Sequence, residues 1–408
     1  MTTRSSSDDR LATTLREESG RLVAALYRRF RDFDIAEEAV QGAVVEALTA
    51  WRRDGTPDRP AAWLTTAAQR NALDLIRRRG RQEALAARAE PSVERGGTDD
   101  RIALLFACCH PALAPEARLA LTLRAVIGLT TPQIARAFLV NEQTLAQRIV
   151  RAKRKVVSTH IELRVPDPSE LPERLGDVLA VVYVMYNEAF VSSTGRTQDR
   201  DLGADAVWLA DVIATSLPDQ AEAWGLAALL TLQHGRSAAR FSSDGDLVLL
   251  RDQDRGQWDH TAIDRATGML ERAASLRASG PYQLQAAIAA CHAEAPSWGE
   301  TDWLQIVALY GALIRQDSSP VVRLNGAIAL AQLGDRQATE ALADVDRLAD
   351  RLDGYHLFHA SRAELLRLLD RDDEAAVADR RALELTTNEA ERRLLQTRLR
   401  RHPLIDGS

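Results

Sequence analysis

The stretch Leu129–Val156, LTTPQIARAFLVNEQTLAQRIVRAKRKV, decides how the chain is read. Two short helical patterns flank a tight break at Val140-Asn141-Glu142. The first, Thr131 to Leu139, opens on a Thr-Pro pair. Threonine serves as an N-cap, and proline is tolerated at the first helical position, where its missing N–H would be unpaired anyway. Ile134, Ala135 and Phe138 then share a face. The second pattern starts near Glu142 and repeats Leu145, Ile149, Ala152 and Val156 at helical spacing. Its other face carries Gln143, Thr144, Gln147, Arg148, Arg151, Lys153, Arg154 and Lys155. A helix–turn–helix with a basic, amide-rich second helix suits a DNA major groove. Taken alone, the same pattern also fits an αα-hairpin with a solvated basic face.

Composition narrows the classes. The 408 residues allow two or three domains. With 46% hydrophobic and 27% charged residues the chain is of the folded, soluble type, and few aromatics beside abundant alanine and arginine favour helices. No apolar run approaches the roughly 20 residues of a membrane helix. MTTRSSSDDR has no apolar core of a signal peptide. Three cysteines, Cys108, Cys109 and Cys291, cannot build a disulfide framework. A cytoplasmic location with no membrane partner is expected. The net charge of −6 hides an asymmetry: residues 1–160 hold 26 basic and 19 acidic side chains, the remainder 26 basic and 39 acidic. A basic front and an acidic back point to nucleic-acid binding at the front.

Upstream of the helix–turn–helix, residues 1–10 read as disordered and a helix is expected from Thr13 or Thr14, with Leu15, Leu22, Leu26 and Phe30 near one face. Asp34 reads as the N-cap of a second helix to about Arg53, with Ala36, Ala39, Val40, Ala43, Ala47 and Leu48 inward and Glu37, Glu38, Gln41 and Glu46 outward. Pro60 starts a third helix, to Arg79, whose apolar stripe is Trp63, Leu64, Ala67, Leu73 and Ile76. Asn71, Asp74 and Arg78 share one face, and Arg70, Arg77 and Arg81 form a strip beside it. Five arginines against one acid between Pro60 and Arg81 suit phosphate contact. A solvated helix end favoured by the macrodipole explains Arg77–Arg79 but not Arg70. Residues 81–98 lose the apolar pattern and read as a linker. Helices resume at Asp99.

Together these pieces resemble a bacterial sigma factor of the extracytoplasmic-function (ECF) type. AEEAVQGAVVEAL (Ala36–Leu48) resembles that family's helix for the clamp of core RNA polymerase. AAWLTTAAQRNALDLIRRR (Ala61–Arg79) resembles its helix for the minus-10 promoter element, and Leu119–Lys155 its domain for the minus-35 element. Val44 and Glu46 depart from the pattern, where an aromatic and a basic residue are frequent in the family. The resemblance implies that Glu37, Glu38 and Gln41 face polymerase. It implies that Trp63, Arg70, Asn71, Asp74, Arg77 and Arg78 act at the minus-10 element. Gln143, Thr144, Gln147, Arg148, Arg151 and Lys155 would face the minus-35 element. The implied partners are promoter DNA and core polymerase, through the clamp of the beta-prime subunit and the beta flap. The rest of the chain resembles the subgroup with a long TPR-like C-terminal extension.

The expected fold is therefore all-α. Residues 1–80 form a region-2-like domain, 81–98 a linker, 99–163 a region-4-like helix–turn–helix domain and 164–408 a TPR-like regulatory or interaction domain. Leu229–Phe241, Ile328–Leu342 and Ala363–Val377 look alike: a leucine-rich helix, a polar turn, an alanine-bearing helix. Leu333-Gly334 and Leu369-Asp370 are about 36 residues apart, near the TPR period. Such units stack into a solenoid, although a generic helical bundle fits the same pattern. Ser242–Asp259, SSDGDLVLLRDQDRGQWD, interrupts it with a β-prone LVLL, and reads as a structured loop with Trp258 packed down. Asp244, Gly245, Asp246, Asp252, Asp254 and Trp258 are its candidate regulatory residues, and an intramolecular contact of this acidic loop with the basic sigma domains, or a contact with polymerase, is expected. Cation binding by its aspartates fails the EF-hand spacing.

An enzyme needs a site, and none stands out. Cys108-Cys109-His110 lacks a second ligand pair and reads as a helix with small buried thiols. Tyr183, Tyr186, Asn187 and Glu188 read as a groove wall. No cofactor is expected. The expected function is a sigma factor that brings core polymerase to specific promoters, modulated by its fused C-terminal domain. The alternative is a polymerase-independent helix–turn–helix regulator with a helical-repeat sensor domain, which would have no use for the clamp-facing and minus-10 helices.

Overall fold

The computed structural model describes residues 3–78, 100–138, 140–192 and 201–401; the expected linker 81–98 lies outside them. The described residues hold helices and no strand; one isolated antiparallel bridge pairs Phe241 with Leu247. The chain forms two compact units, Met1–Glu188 and Ala189–Ser408.

The first unit opens with α1 (Thr3–Phe30), α2 (Phe33–Asp54) and α3 (Pro60–Arg78). Helix α1 includes most of the stretch expected to be disordered. No proline or glycine interrupts the sequence before Gly20, so nothing stops the helix there. Leu22, Leu26 and Phe30 are buried as expected. Helix α2 is capped by Asp32 and not by Asp34: the Asp32 carboxylate accepts from Asp34 N at 2.9 Å and Ile35 N at 3.1 Å, which satisfies two of the orphan donors of the first turn. In α3, Leu64, Ala67, Ala68, Ala72 and Ile76 are buried. Leu73, expected inward, is exposed; it falls one position past the buried stripe.

The unit continues with α4 (Asp100–Cys108), α5 (Pro115–Ala125), α6 (Thr131–Ala137), α7 (Glu142–Ser158) and α8 (Leu171–Ser192). Helix α4 packs on α1, and the fit is close. A Cβ on Gly20 would sit 2.9 Å from the Val126 carbonyl oxygen and 3.2 Å from Arg101 Cγ. Arg101 donates to the Glu17 carbonyl at 2.9 Å, and Arg28 pairs with Asp100 at 2.6 Å. The unit reaches Glu188, past the helix–turn–helix, because α8 is tied back to it. Arg118 on α5 pairs with Asp177 at 2.6 Å, and Arg174 donates to the Phe106 carbonyl at 2.9 Å.

The second unit contains α9 (Leu202–Ser216), α10 (Ala221–His234), α11 (His260–Ser275), α12 (Pro281–Glu294), α13 (Trp303–Gln316), α14 (Pro320–Ala331), α15 (Asp335–Asp346), α16 (Ala349–Leu352), α17 (His356–Leu368), α18 (Asp372–Leu385) and α19 (Glu389–Arg401). Most helices pack on their neighbours in sequence, while α12 packs chiefly on α10, two helices back. Two of the three look-alike segments are helix–turn–helix hairpins, α14–α15 and α17–α18. Their turns carry Gly334 at φ 131° and Asp370 at φ 56°, so equivalent positions both take a positive φ. The third differs. After α10 the chain makes only a single 3₁₀ turn, Ser237–Ala239, before the bridge at Phe241. The β-prone LVLL supplies Leu247 to that bridge and then turns at Leu250–Asp252.

Candidate nucleic-acid and polymerase interface

Two caps build the helix–turn–helix. Thr130, one residue before the expected Thr131, caps α6: its hydroxyl accepts from Gln133 N, while Gln133 Oε1 accepts from Thr130 N at 2.8 Å. This reciprocal pair satisfies two donors at once. Asn141 caps α7, accepting from Gln143 N at 2.9 Å and Thr144 N at 3.1 Å. Leu145, Ile149, Ala152 and Val156 are buried as the spacing required. Gln143, Thr144, Gln147, Arg151 and Lys155 are exposed and Arg148 is half-buried. The six fall along one stripe of a 17-residue helix about 25 Å long. The structure thus brings these candidates together, with three cations and three groups able to hydrogen-bond base edges.

The α3 candidates are less uniform. Arg77 and Arg78 are exposed, and Arg77 pairs with Asp74 at 3.2 Å. Arg70 is exposed and paired with Glu46 of α2, the position at which the sequence departs from its family pattern. Trp63 is half-buried and meets Trp51 edge to face, ring centroids 5.7 Å apart. Asn71 lies over Gly42, where a Cβ would be 2.9 Å from its amide nitrogen. It serves the α2–α3 contact as well as any outer surface.

Among the candidate polymerase contacts, Glu38 is exposed and Gln41 is half-buried, but Glu37 is not outward as expected; it is 4% exposed. One carboxylate oxygen, Oε2, accepts from Arg124 Nε at 2.8 Å and from Lys153 Nζ at 2.9 Å. The other, Oε1, is buried without a hydrogen-bond partner. Lys153 also pairs with Asp34 at 2.9 Å. With its side-chain oxygen turned to satisfy both groups, Gln41 accepts from Arg124 Nη1 at 2.6 Å and Nη2 at 2.7 Å. Lys153, expected on the solvent-facing side of α7, is instead committed to α2. Arg124 drew no notice in the sequence. It lies 87 residues from Glu37, and Lys153 lies 116, so no local spacing could reveal either. The only available signal was complementary charge.

The acidic loop is pinned within the second unit. Asp246 and the Gly245 carbonyl both accept from Arg393 of α19 at 2.6 Å. Arg251 pairs with Glu364 of α17. Asp254 accepts from Gly256 N at 2.9 Å, and Asp244 and Asp252 are exposed. Arg255 Nη1 donates to the carbonyls of His292 and Ala295 at 2.5 and 2.6 Å, and its guanidinium lies 4.6 Å from the ring centre of buried Trp258. Burial, with Arg236 and Arg255 nearby, pushes His292 down to about 4. No group of three or more His, Cys, Asp or Glu side chains that could hold a metal occurs among the described residues. Cys108 and Cys109 are buried. Burial first of all raises both thiols, Cys109 to about 12 despite its contact with Thr122, so both are protonated and poor nucleophiles.

Comparison with known proteins gives three family matches, the third of which straddles the boundary between the two units. Residues 15–82 match Sigma-70 region 2, residues 103–156 match Sigma-70 region 4, and residues 174–274 match a family of unknown function, DUF6596. An uncharacterized protein of Rhizobium meliloti (strain 1021) is 41% identical over 391 residues, 92% of each chain. No solved structure matches. The chain belongs to the ECF-like sigma factors that carry a C-terminal extension. Its role is accordingly in transcription initiation, with DNA binding and association with core RNA polymerase as the general activities of such domains; sigma factor families are generally non-enzymatic. No described helix is long and apolar enough to cross a membrane.

Proposed function

We propose that this chain binds core RNA polymerase through α2, with Glu37, Glu38 and Gln41 toward the clamp of the beta-prime subunit, and directs it to promoters with two helices. Helix α3 engages the minus-10 element through Trp63, Arg70, Asn71, Asp74, Arg77 and Arg78. Helix α7 engages the minus-35 element through Gln143, Thr144, Gln147, Arg148, Arg151 and Lys155, with its domain on the beta flap. The basic groups neutralise phosphate and set register, and the polar groups read bases. Capturing unstacked bases offsets the few kcal/mol that melting costs. The second unit, a TPR-like stack of hairpins, modulates this activity.

The observation that carries the reading is the stripe on α7: six polar or basic side chains along one face, opposite a core of Leu145, Ile149, Ala152 and Val156. Run-off transcription with purified core polymerase, on a promoter found by chromatin mapping, tests it. A polymerase-dependent transcript that is lost in Arg148→Ala/Arg151→Ala supports it. DNA binding with no polymerase-dependent transcript would point to the polymerase-independent regulator.

A further inference from the structure

The acidic face of α2 is not vacant in this structure. Asp34, Glu37 and Gln41 lie at successive turns of the helix, and all three are engaged by cations of the helix–turn–helix domain. Arg124, on α5, has 14% of its side chain exposed and uses its guanidinium on Glu37, Gln41 and the Leu129 carbonyl. Lys153, on α7, has 13% exposed and bridges Asp34 and Glu37. The two ion pairs to Glu37 are buried, charge-assisted contacts of the kind that salt screens weakly, whereas Asp34 keeps 68% of its side chain exposed. We propose that this face of α2 is a docking surface for the chain's own helix–turn–helix domain, and that core polymerase and that domain compete for it. The inference rests on the proposed polymerase-facing role of α2.

Geometry requires the contact to break. A compact unit of 188 residues has a radius of gyration of about 16 Å, hence a diameter of about 40 Å. Promoter elements centred near positions ten and thirty-five lie about 25 base pairs apart, or about 85 Å along B-form DNA. With Lys153 held on Asp34 and Glu37, α3 and α7 cannot reach both elements together. Opening exposes Glu37 and Gln41 to polymerase. The closed contact is also imperfect: Glu37 Oε1 is buried without a partner, and an unsatisfied buried oxygen is costly. Closure is therefore of limited stability, and a partner that satisfies both oxygens displaces it.

The test uses the full chain. A carbodiimide joins a carboxylate to an amine only when they touch, forming an amide and releasing a urea. In the free protein, mass spectrometry should find Lys153 joined to Asp34 or Glu37, and saturating core polymerase should abolish the product. Lys153→Arg, which keeps the charge but removes the amine, should lose the product and bind polymerase like the wild type. Arg124→Gln/Lys153→Met, which opens the clasp without altering α2, should bind polymerase about tenfold more tightly, because apparent affinity scales with the open fraction. No Lys153 product in the free chain, or a product that persists in a polymerase complex of unchanged affinity, overturns the docking proposal while the sigma reading stands. A product in the free chain with no polymerase binding by any form overturns the sigma reading, and with it the identity of the competitor.

Discussion

Lowering the pH should loosen the second unit through one histidine. His292 is held neutral, at about 4, first by burial and then by Arg236 and Arg255. Its ring stacks on Trp298 at 5.9 Å and meets Trp303 edge-on at 5.3 Å, and its carbonyl anchors Arg255 of the acidic loop. An unfolded histidine titrates near 6.5. Between these values the unfolded chain binds a proton that the folded chain refuses, so stability falls as pH falls. The sign is that of a depressed base: the contribution is complete above about 6.5 and lost on the way down to about 4. Each pH unit in that window costs about 1.4 kcal/mol, so going from pH 7.5 to 5 removes about 2 kcal/mol, and going to 4 removes about 3. Glu222 and Asp379 act in the opposite sense, since burial raises both, and comparison with His292→Gln cancels them. Urea unfolding of the full chain, followed by tryptophan fluorescence near Trp258, Trp298 and Trp303, measures the difference. Wild type should lose about 2 kcal/mol more than His292→Gln between pH 7.5 and 5. Equal losses would refute the reasoning.

Arg118→Ala should cost the first unit about 2–3 kcal/mol, since the guanidinium serves Leu113 O, Pro111 O and Asp177; a loss below about 0.5 kcal/mol in thermal melts would count against it. A fragment ending at residue 188 should for the same reason melt higher than one ending at 165, which lacks Arg174 and Asp177. Asn141→Ala should weaken the start of α7 by about 1 kcal/mol, visible as reduced helicity and weaker promoter binding. Arg151→Ala should lower the slope of log affinity against log salt by about 1, whereas an unchanged slope would remove Arg151 from the phosphate contacts.

Periodic patterns made most of the helices legible. Leu145, Ile149, Ala152 and Val156 repeat so regularly that α7 and its buried side follow from the sequence, and the Asn141 break follows with them. Caps were readable only to within one or two residues, because Thr130 and Thr131, or Asp32 and Asp34, are chemically equivalent until the backbone fixes which oxygen reaches which N–H. Glu37 was misplaced for a different reason. A charged residue in an acidic run belongs by default on the solvent side, and its burial depends on Arg124 and Lys153 from distant parts of the chain. The same holds for Asp246 and Arg393. Long-range ion pairing leaves no periodic trace, whereas apolar burial does.

The fastening of the acidic loop has a consequence for the order of synthesis. Arg393 leaves the ribosome 147 residues after Asp246, and at about 5–20 residues per second that is a delay of roughly 7–30 s. The stacked hairpins between them fold against preceding neighbours as they emerge, but the loop has to wait with Asp246 unpaired and Arg251 without Glu364. A nascent chain therefore carries the Gly245–Asp246 tip unfastened for most of the translation of its second unit, although the Arg255 end of the loop can be anchored once Ala295 has emerged. Chains broken off before α19 would lack only the Arg393 ties to Asp246 and the Gly245 carbonyl, leaving that tip of the loop unfastened.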